Sequence, residues 1–430
     1  MQRVKQTLPR PTGKRLGAGS LATVGGRISN AASQLLITGL LARTLEPSAF
    51  GLWALLYTVY NLVPSLDLGL GQALRLKLAE LNARGGHDQL EQQLFSSVLI
   101  ALILWGLALA GIAAVVVSLL PGWDIGLKTL VVFFAVVCGL TTALNLGTQV
   151  FYAYEEGFER GIADVIQALV LAGAVWSAAG SRNFERVTYT FFSAAALVGG
   201  GILLWFVQRR GWAIKLPRVP EIVTTLQMLW RSSLWFWLLG LFAIGLLNTA
   251  LLFVAGLGNL EQVGHFTILQ RLFMLLITLH LAWLAPLQSA YTRAASLEDW
   301  AWVGKTWLRS VNLTLVGVGA ASIILVIAHH DLVLLWTGKS LYEPLLVLML
   351  AVWACVWAWV NANSVVLNGI GILKPQVMLL GMGLLFYASA STFLISLVGV
   401  GGVIASALIA VLPLAFLSPR WIRKQIYKES

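Results

Sequence analysis

The chain has 430 residues, of which 58% are hydrophobic and 11% charged, with a formal net charge of +11. A mean hydropathy of +0.83, together with 18 Trp and 18 Phe, excludes a water-soluble surface, and the apolar runs reach the ~20 residues that a membrane helix needs. No polar stretch approaches the ~50 residues of an independently stable domain, so no extramembrane domain is expected to carry chemistry.

The sequence therefore reads as an all-α, multi-pass membrane protein. A basic tail, residues 1–17, leads into an apolar run from about Ala18 to Ala42. That run is too long for a signal-peptide core and no cleavage-like site follows it, so it is expected to stay as a membrane anchor. Further spans are expected near Phe50 to Ala73, Leu94 to Leu120, Leu127 to Ala153, Gly161 to Gly180 and Val187 to Val207. After a polar connection over 211–231 the pattern resumes near Ser232 to Gly256, Gln262 to Ser289, Trp307 to Ala328, Leu345 to Gly369, Gln376 to Val398 and Gly402 to Leu417. Pro344 and Pro375 stand just before two of these runs, where a missing N–H does no harm to a helix. A basic tail, 419–430, closes the chain. The expectation is twelve transmembrane helices in two six-helix lobes, 18–210 and 232–418, around a central cavity.

Charge sets an orientation. With the N-terminus in the cytoplasm, 22 of the 29 Lys and Arg fall in cytoplasmic segments and 5 on the other side, the asymmetry of the positive-inside rule. Both termini are then cytoplasmic. The net positive charge lies against the anionic inner leaflet, so membrane lipid is the partner it implies and nucleic acid is not needed. A weak internal repeat has a period near 213 residues: Gly51 corresponds to Gly264, and the loop Gly157 to Gly161 to the loop Gly371 to Pro375 at a shift of 214. Each half holds an even number of spans, so these are parallel repeats, as in two-lobed transporters with a site near mid-membrane.

Two arginines, Arg27 and Arg271, fall near the middle of apolar runs. An arginine at bilayer depth costs at least ~2.5 kcal/mol on insertion scales and is kept where a cavity, partner or anionic ligand uses it. Thr23, Arg27, Asn30, Gln34 and Thr38 recur at intervals of 4, 3, 4 and 4, the spacing of one helical face. Polar stripes recur as Tyr57, Asn61, Pro64 and Asp67, as Thr141, Asn145, Thr148 and Tyr152, and as Thr267, Gln270, Arg271 and Thr278. Pro64 and Pro286 can bend their helices. The candidate binding residues are Arg27, Arg271, Asn30, Gln34, Asn61 and Gln270, in a hydrated cavity with a cationic centre. A structural alternative pairs Arg27 with Asp67, which lie about 15 Å and about 10 Å from the inner edge at the helical rise. Asp67 is then a charge pair or a coupling acid. For Arg271 no acid is evident at matching depth, since Asp164 falls close to the inner surface.

Other constellations carry less. Cys138 and Cys355 lack the spacing of a disulfide framework or a zinc site. His329-His330-Asp331 is expected at a helix end in a short outer loop, with no nucleophile beside it. Gly199-Gly200-Gly201 and Gly399 to Gly402 precede no phosphate-cradling Lys and read as helix packing or hinges. No metal or cofactor is implied, and coupling to a proton or sodium gradient is left open.

The stretch from Leu40 to Trp53 (LLARTLEPSAFGLW), followed by Leu66 to Arg75 (LDLGLGQALR), resembles the opening of bacterial polysaccharide-biosynthesis transporters, the Wzx-type oligosaccharide flippases. The likeness is moderately specific there and architectural in the second half. It implies two six-helix lobes around a V-shaped cavity, a bacterial inner-membrane location, and an undecaprenyl-diphosphate-linked sugar repeat unit as substrate. It implies no enzymatic activity, and a glycan polymerase and chain-length machinery as candidate protein partners. Arginines of the first and eighth helices line the cavity in related flippases, and Arg27 and Arg271 occupy those helices here. The competing expectations are a cation-coupled multidrug exporter of the same fold and, behind it, a membrane glycan polymerase or ligase, which would normally present a larger outer loop.

Overall fold

The structure is a computed structural model that describes residues 13–83, 88–119, 121–122, 124–154, 156–256, 259–296 and 298–429. The first twelve residues of the expected basic tail, and the side chains of Thr23, Pro64, Tyr152 and Pro286, lie outside what it describes. Among the described residues there is no strand. The helices are α1 (Gly13–Thr44), α2 (Pro47–Leu62), a 3-10 turn (Val63–Asp67), α3 (Leu70–Ala83), α4 (Asp88–Leu119), α5 (Ile125–Leu144), α6 (Leu146–Ala153), α7 (Gly157–Ala179) and α8 (Phe184–Arg210). They continue as α9 (Val219–Asn248), α10 (Ala250–Ala255), α11 (Leu260–Ser296), α12 (Trp300–Thr337), α13 (Pro344–Gly369), α14 (Lys374–Val398) and α15 (Gly401–Glu429).

Ten helical segments among the described residues are long and apolar enough to cross a membrane, and α9, bent by 59° after Trp230, makes an eleventh. The 32-residue α1 coincides with the first expected span, but the second, Phe50 to Ala73, is not a single helix: α2 ends at Leu62, a 3-10 turn covers Val63–Asp67 and α3 begins at Leu70. Two further expectations need correction. His329, His330 and Asp331 do not end a helix in a loop: α12 runs on to Thr337, where Gly338, at φ 70°, caps it. The C-terminal segment is helical as well, because α15 continues to Glu429. Its basic residues alternate with apolar ones that pack: Ile422 is fully buried and the Arg423 guanidinium lies 5.9 Å from the Trp307 ring.

The chain divides into two compact units. The first comprises Met1–Asn30, Val63–Ala174 and Tyr189–Trp237. Its core joins Leu74, Leu78, Phe95, Leu99, Val150, Phe151 and Phe206. Lipid gives apolar helices no hydrophobic reason to associate, so close contact must come from shape and hydrogen bonds. Gly106 of α4 and Gly139 of α5 supply the shape: a Cβ on either would come within 2.1 and 2.3 Å of the other's carbonyl oxygen. Hydrogen bonds tie α4, α6 and α8 together. Tyr154 donates to Glu91 Oε2 at 2.6 Å, Arg210 lies 3.5 Å over the Tyr154 ring and donates to Glu156 at 2.9 Å. Burial, and then the Glu91 carboxylate, push the Tyr154 hydroxyl well above the usual tyrosine range, so it stays a donor.

The second unit comprises Ala31–Leu62, Val175–Thr188 and Leu238–Ser430. A core of Tyr291, Val303, Trp307, Val366 and Ile422 includes buried polar pairs: Trp307 Nε1 donates to Asn363 Oδ1 at 2.9 Å, and the Tyr291 and Ser310 hydroxyls lie 3.3 Å apart. The C-terminal half of α1 is fixed to the end of α12: Arg43 Nε donates to the Trp336 carbonyl at 2.9 Å, a second Arg43 nitrogen to the Leu335 carbonyl, and Trp336 Nε1 donates back to the Leu35 carbonyl at 2.9 Å. A cation on a helix C-terminus satisfies orphan carbonyls and complements the helix dipole.

Candidate functional site

In the second unit α2 and α11 cross at two glycines. A Cβ on Gly51 would fall 1.9 Å from the Leu260 carbonyl oxygen, and one on Gly264 would fall 3.0 Å from the Phe50 ring. These are the two glycines that the sequence pairs as repeat counterparts, and here they meet at one crossing. Six residues beyond Gly51 stands Tyr57, and seven beyond Gly264 stands Arg271. The Arg271 guanidinium lies 4.6 Å from the centroid of the Tyr57 ring, which stacks in turn on Trp53 at 5.3 Å. Arg271 Nη1 donates to Gln34 Oε1 of α1 at 2.9 Å. Among the ion pairs of the described residues Arg271 takes no part.

Around this group, Gln270 is buried and Asn61 stands half-buried one turn past Tyr57 on α2. Thr267 and Thr278, which share the stripe with Arg271, are turned to their own helix and donate to the carbonyls of Val263 and Met274. The arrangement is a guanidinium supported on one face by an aromatic ring and at one nitrogen by a neutral amide. Among the described residues one of its five donors is taken, by Gln34, and a guanidinium of this kind suits a planar anion.

In the first unit the other half of the α1 stripe meets α7. A Cβ on Gly26 would lie 2.7 Å from the Asp164 Cβ, and one on Gly161 would lie 2.3 Å from the Ala22 carbonyl oxygen. The two helices thus touch nearly backbone to backbone. Asn30 hydrogen-bonds the Asp164 carboxylate, and Arg27 interacts with it electrostatically. Arg160, one turn before on α7, makes the direct ion pair, with Nη2 2.5 Å from Asp164 Oδ1.

Asp67 has a different task. Its two oxygens accept from the Gly69 N–H at 2.7 Å and the Gly71 N–H at 3.1 Å, so it caps α3. Among the described residues it makes no ion pair, so the pairing weighed between it and Arg27 is not present there. The backbone break around it is satisfied by side chains. Trp237 Nε1 donates to the Ser65 carbonyl, Trp105 Nε1 to that of Leu66 and the Ser233 hydroxyl to that of Leu68, at 2.6 to 2.8 Å. Non-helical backbone at membrane depth is tolerated when buried protein groups take up its hydrogen bonds in this way. Gly69 has φ 74° and its Cβ would fall 2.2 Å from the Ser233 carbonyl oxygen, so conformation and space both require glycine there.

Two participants were underrated in the sequence, Tyr57 and Asp164. Tyr57 looked like one member of a stripe, and only the glycine crossing reveals why it sits under Arg271. A lone acid four residues after an arginine, just inside an apolar run, was the available signal for Asp164.

No family model matches the sequence, and no curated protein matches it. Solved structures do. The chain is similar to a multidrug resistance MATE family transporter of the MOP superfamily in an inward-facing conformation, with a TM-score of 0.68 at 16% identity over 94% of this chain and 98% of the other. It is similar to an outward-facing conformation of such a transporter, at 0.65 and 16% over 97% and 96%. A third is a MOP superfamily transporter from Pyrococcus furiosus, at 0.64 and 15% over 97% and 96%. The chain has the helical fold of the MOP superfamily transporters.

Proposed function

We propose that the protein is a transporter that moves a polyprenyl-diphosphate-linked oligosaccharide across the bacterial inner membrane, from the cytoplasmic to the periplasmic leaflet, by alternating access. The observation that carries this reading is Arg271, held by Gln34 and the Tyr57 ring with no carboxylate in an ion pair with it among the described residues. A diphosphate offers what such a guanidinium accepts, paired oxygens for charge-assisted, bidentate hydrogen bonds. Sugars suit the amides and rings of Gln34, Gln270, Asn61 and Tyr57, and the polyprenyl tail suits lipid. One of the similar structures is described as having a binding pocket of reversed polarity that suggests a different function, which supports separating fold from substrate here.

A second reading, a cation-coupled multidrug exporter, is favoured by the multidrug transporters among the structural neighbours and by the buried acid Asp164, a handle for a cation. Proteoliposomes separate the two. Purified protein is reconstituted with a labelled polyprenyl-diphosphate oligosaccharide, and the fraction reaching the opposite leaflet is read by an impermeant glycosidase; a cationic dye is assayed in parallel. Glycolipid translocation that Arg271→Ala abolishes is the expected result. Dye transport dependent on Asp164, with no glycolipid movement, would replace this reading by the exporter.

A further inference from the structure

Trp336, in the last turn of α12, meets α1 at three positions. Its indole Nε1 donates to the Leu35 carbonyl at 2.9 Å. A Cβ on Gly39 would fall 2.3 Å from the same nitrogen, so the ring lies there only against glycine. Arg43 Nε donates to the Trp336 carbonyl at 2.9 Å, and a second Arg43 nitrogen donates to that of Leu335. Leu35, Gly39 and Arg43 recur every four residues and form one face of α1. The Leu335 and Trp336 carbonyls belong to the last turn of α12, which has no acceptable donors of its own. The Leu35 carbonyl has a second lone pair to offer the indole. In lipid, where apolar contact alone does not bring helices together, shape and hydrogen bonds of this kind fix the height and the rotation of α1.

Gln34 directly precedes Leu35 and stands about 100° around the helix from it. Its Oε1 accepts from Arg271 Nη1 of α11 at 2.9 Å. A slip of α1 by one residue moves Gln34 by about 1.5 Å along the axis and turns it by about 100°, which carries the amide out of hydrogen-bond reach of the guanidinium. We propose that Trp336 is a positioning residue for the anion site: it sets α1 so that Gln34 meets Arg271. Gln34 at one nitrogen and the Tyr57 ring beneath then restrain the guanidinium, so that its fork is presented in one orientation. Trp336 acts through α1 and Gln34, and Arg43 holds the same clasp closed from the other side. The inference deepens the reading of Arg271 as the group that takes the substrate's phosphate, and rests on it.

The test uses full-length protein in lipid nanodiscs, with monodispersity of each variant checked by gel filtration. The first readout needs no substrate: the rate at which phenylglyoxal, an arginine reagent, modifies Arg271, located by mass spectrometry. Trp336→Phe keeps a ring and removes the donor to Leu35. It should speed modification of Arg271 by about three- to tenfold, the scale of one neutral hydrogen bond. Gln34→Ala should speed it to a similar extent, and the double variant no further than Gln34→Ala alone, because the two act in series. Arg43→Ala alters an exposed side chain and should reproduce Trp336→Phe, so it carries the test if the tryptophan variant loses monodispersity. The second readout is affinity for polyprenyl diphosphate, which Trp336→Phe should weaken by about three- to tenfold in the unaltered background and leave unchanged beside Gln34→Ala. Unchanged reactivity of Arg271 in both clasp variants, or additive effects in the double variant, would overturn the proposal. Failure of the unaltered protein to bind polyprenyl diphosphate would instead overturn the substrate reading, and the reactivity of Arg271 would still decide the role of Trp336.

Discussion

At the scale of single residues, two groups of similar appearance in the sequence have opposite tasks. Arg271 has a ring beneath it and one amide at its edge, so its remaining donors define what it can recognise. Arg271→Lys keeps the charge but loses the fork, and the expected loss in affinity for polyprenyl diphosphate is about 1.5 to 3 kcal/mol, the scale of a hydrogen bond to a charged group. Arg271→Ala should lose more while still accumulating in the membrane, because no ion pair among the described residues depends on it. Immunoblots of the membrane fraction beside the binding assay decide this; disappearance of the protein would assign Arg271 to folding. Asp67, by contrast, caps α3. Asp67→Asn retains one acceptor, so it should lower thermal stability by about 1 kcal/mol, typical of a weakened cap, and leave affinity unchanged. Adding it to Arg27→Gln should restore nothing. Recovery of transport in that double variant would show that the two charges do pair.

At the scale of elements, close helix approach is set by glycine, and it places the chemistry. Gly51 lets α2 lie against the Leu260 carbonyl, and only at that separation does Tyr57 reach Arg271. Gly51→Ala should therefore cost about 1 to 3 kcal/mol of overpacking and weaken substrate binding although residue 51 touches no ligand. Thermal melting in detergent and the nanodisc binding assay would both have to shift; a change in melting alone would uncouple the crossing from the site. In the first unit Tyr154→Phe removes the hydrogen bond to Glu91, a carboxylate only 3% exposed. The expected loss is about 1 to 3 kcal/mol, the range for a buried group deprived of a partner, with no change in affinity. These elements were legible in the sequence to different degrees. Apolar length located most of the spans, though not the break between α2 and α3, and the spacing of Arg27, Asn30 and Gln34 was legible as one face of α1. Helix ends were less legible, because hydropathy fades at the interface while α12 and α15 continue as amphipathic turns. Partner choice was not legible at all. Depth counted along separate helices matched Arg27 with Asp67, whereas Asp67 caps α3 and the glycines Gly26 and Gly161 bring α1 against α7.

At the scale of the whole molecule, the stripe on α1 is divided between the two compact units, with Arg27 and Asn30 in the first and Gln34 and Thr38 in the second. One helix therefore carries polar residues in both units. Orientation in the bilayer is a separate question, and the basic residues bear on it. Of the 29 Lys and Arg, 22 fall on one side of the expected spans and 5 on the other. The structure gives one of those five a local reason to be there, since Arg43 is held by carbonyls at the C-terminal end of α12. Removing it from the topological count strengthens the asymmetry, from which the positive-inside rule predicts that both termini face the cytoplasm. Two exposed positions test this, Tyr427 near the end of α15 and Ser340 in the segment between α12 and α13. In a background with Cys138 and Cys355 replaced by Ala, Ser340→Cys should react with an impermeant maleimide in intact spheroplasts. Tyr427→Cys should react only after permeabilisation. Labelling of Tyr427→Cys in intact spheroplasts, with Ser340→Cys protected, would invert the orientation and with it the direction of transport proposed for the diphosphate.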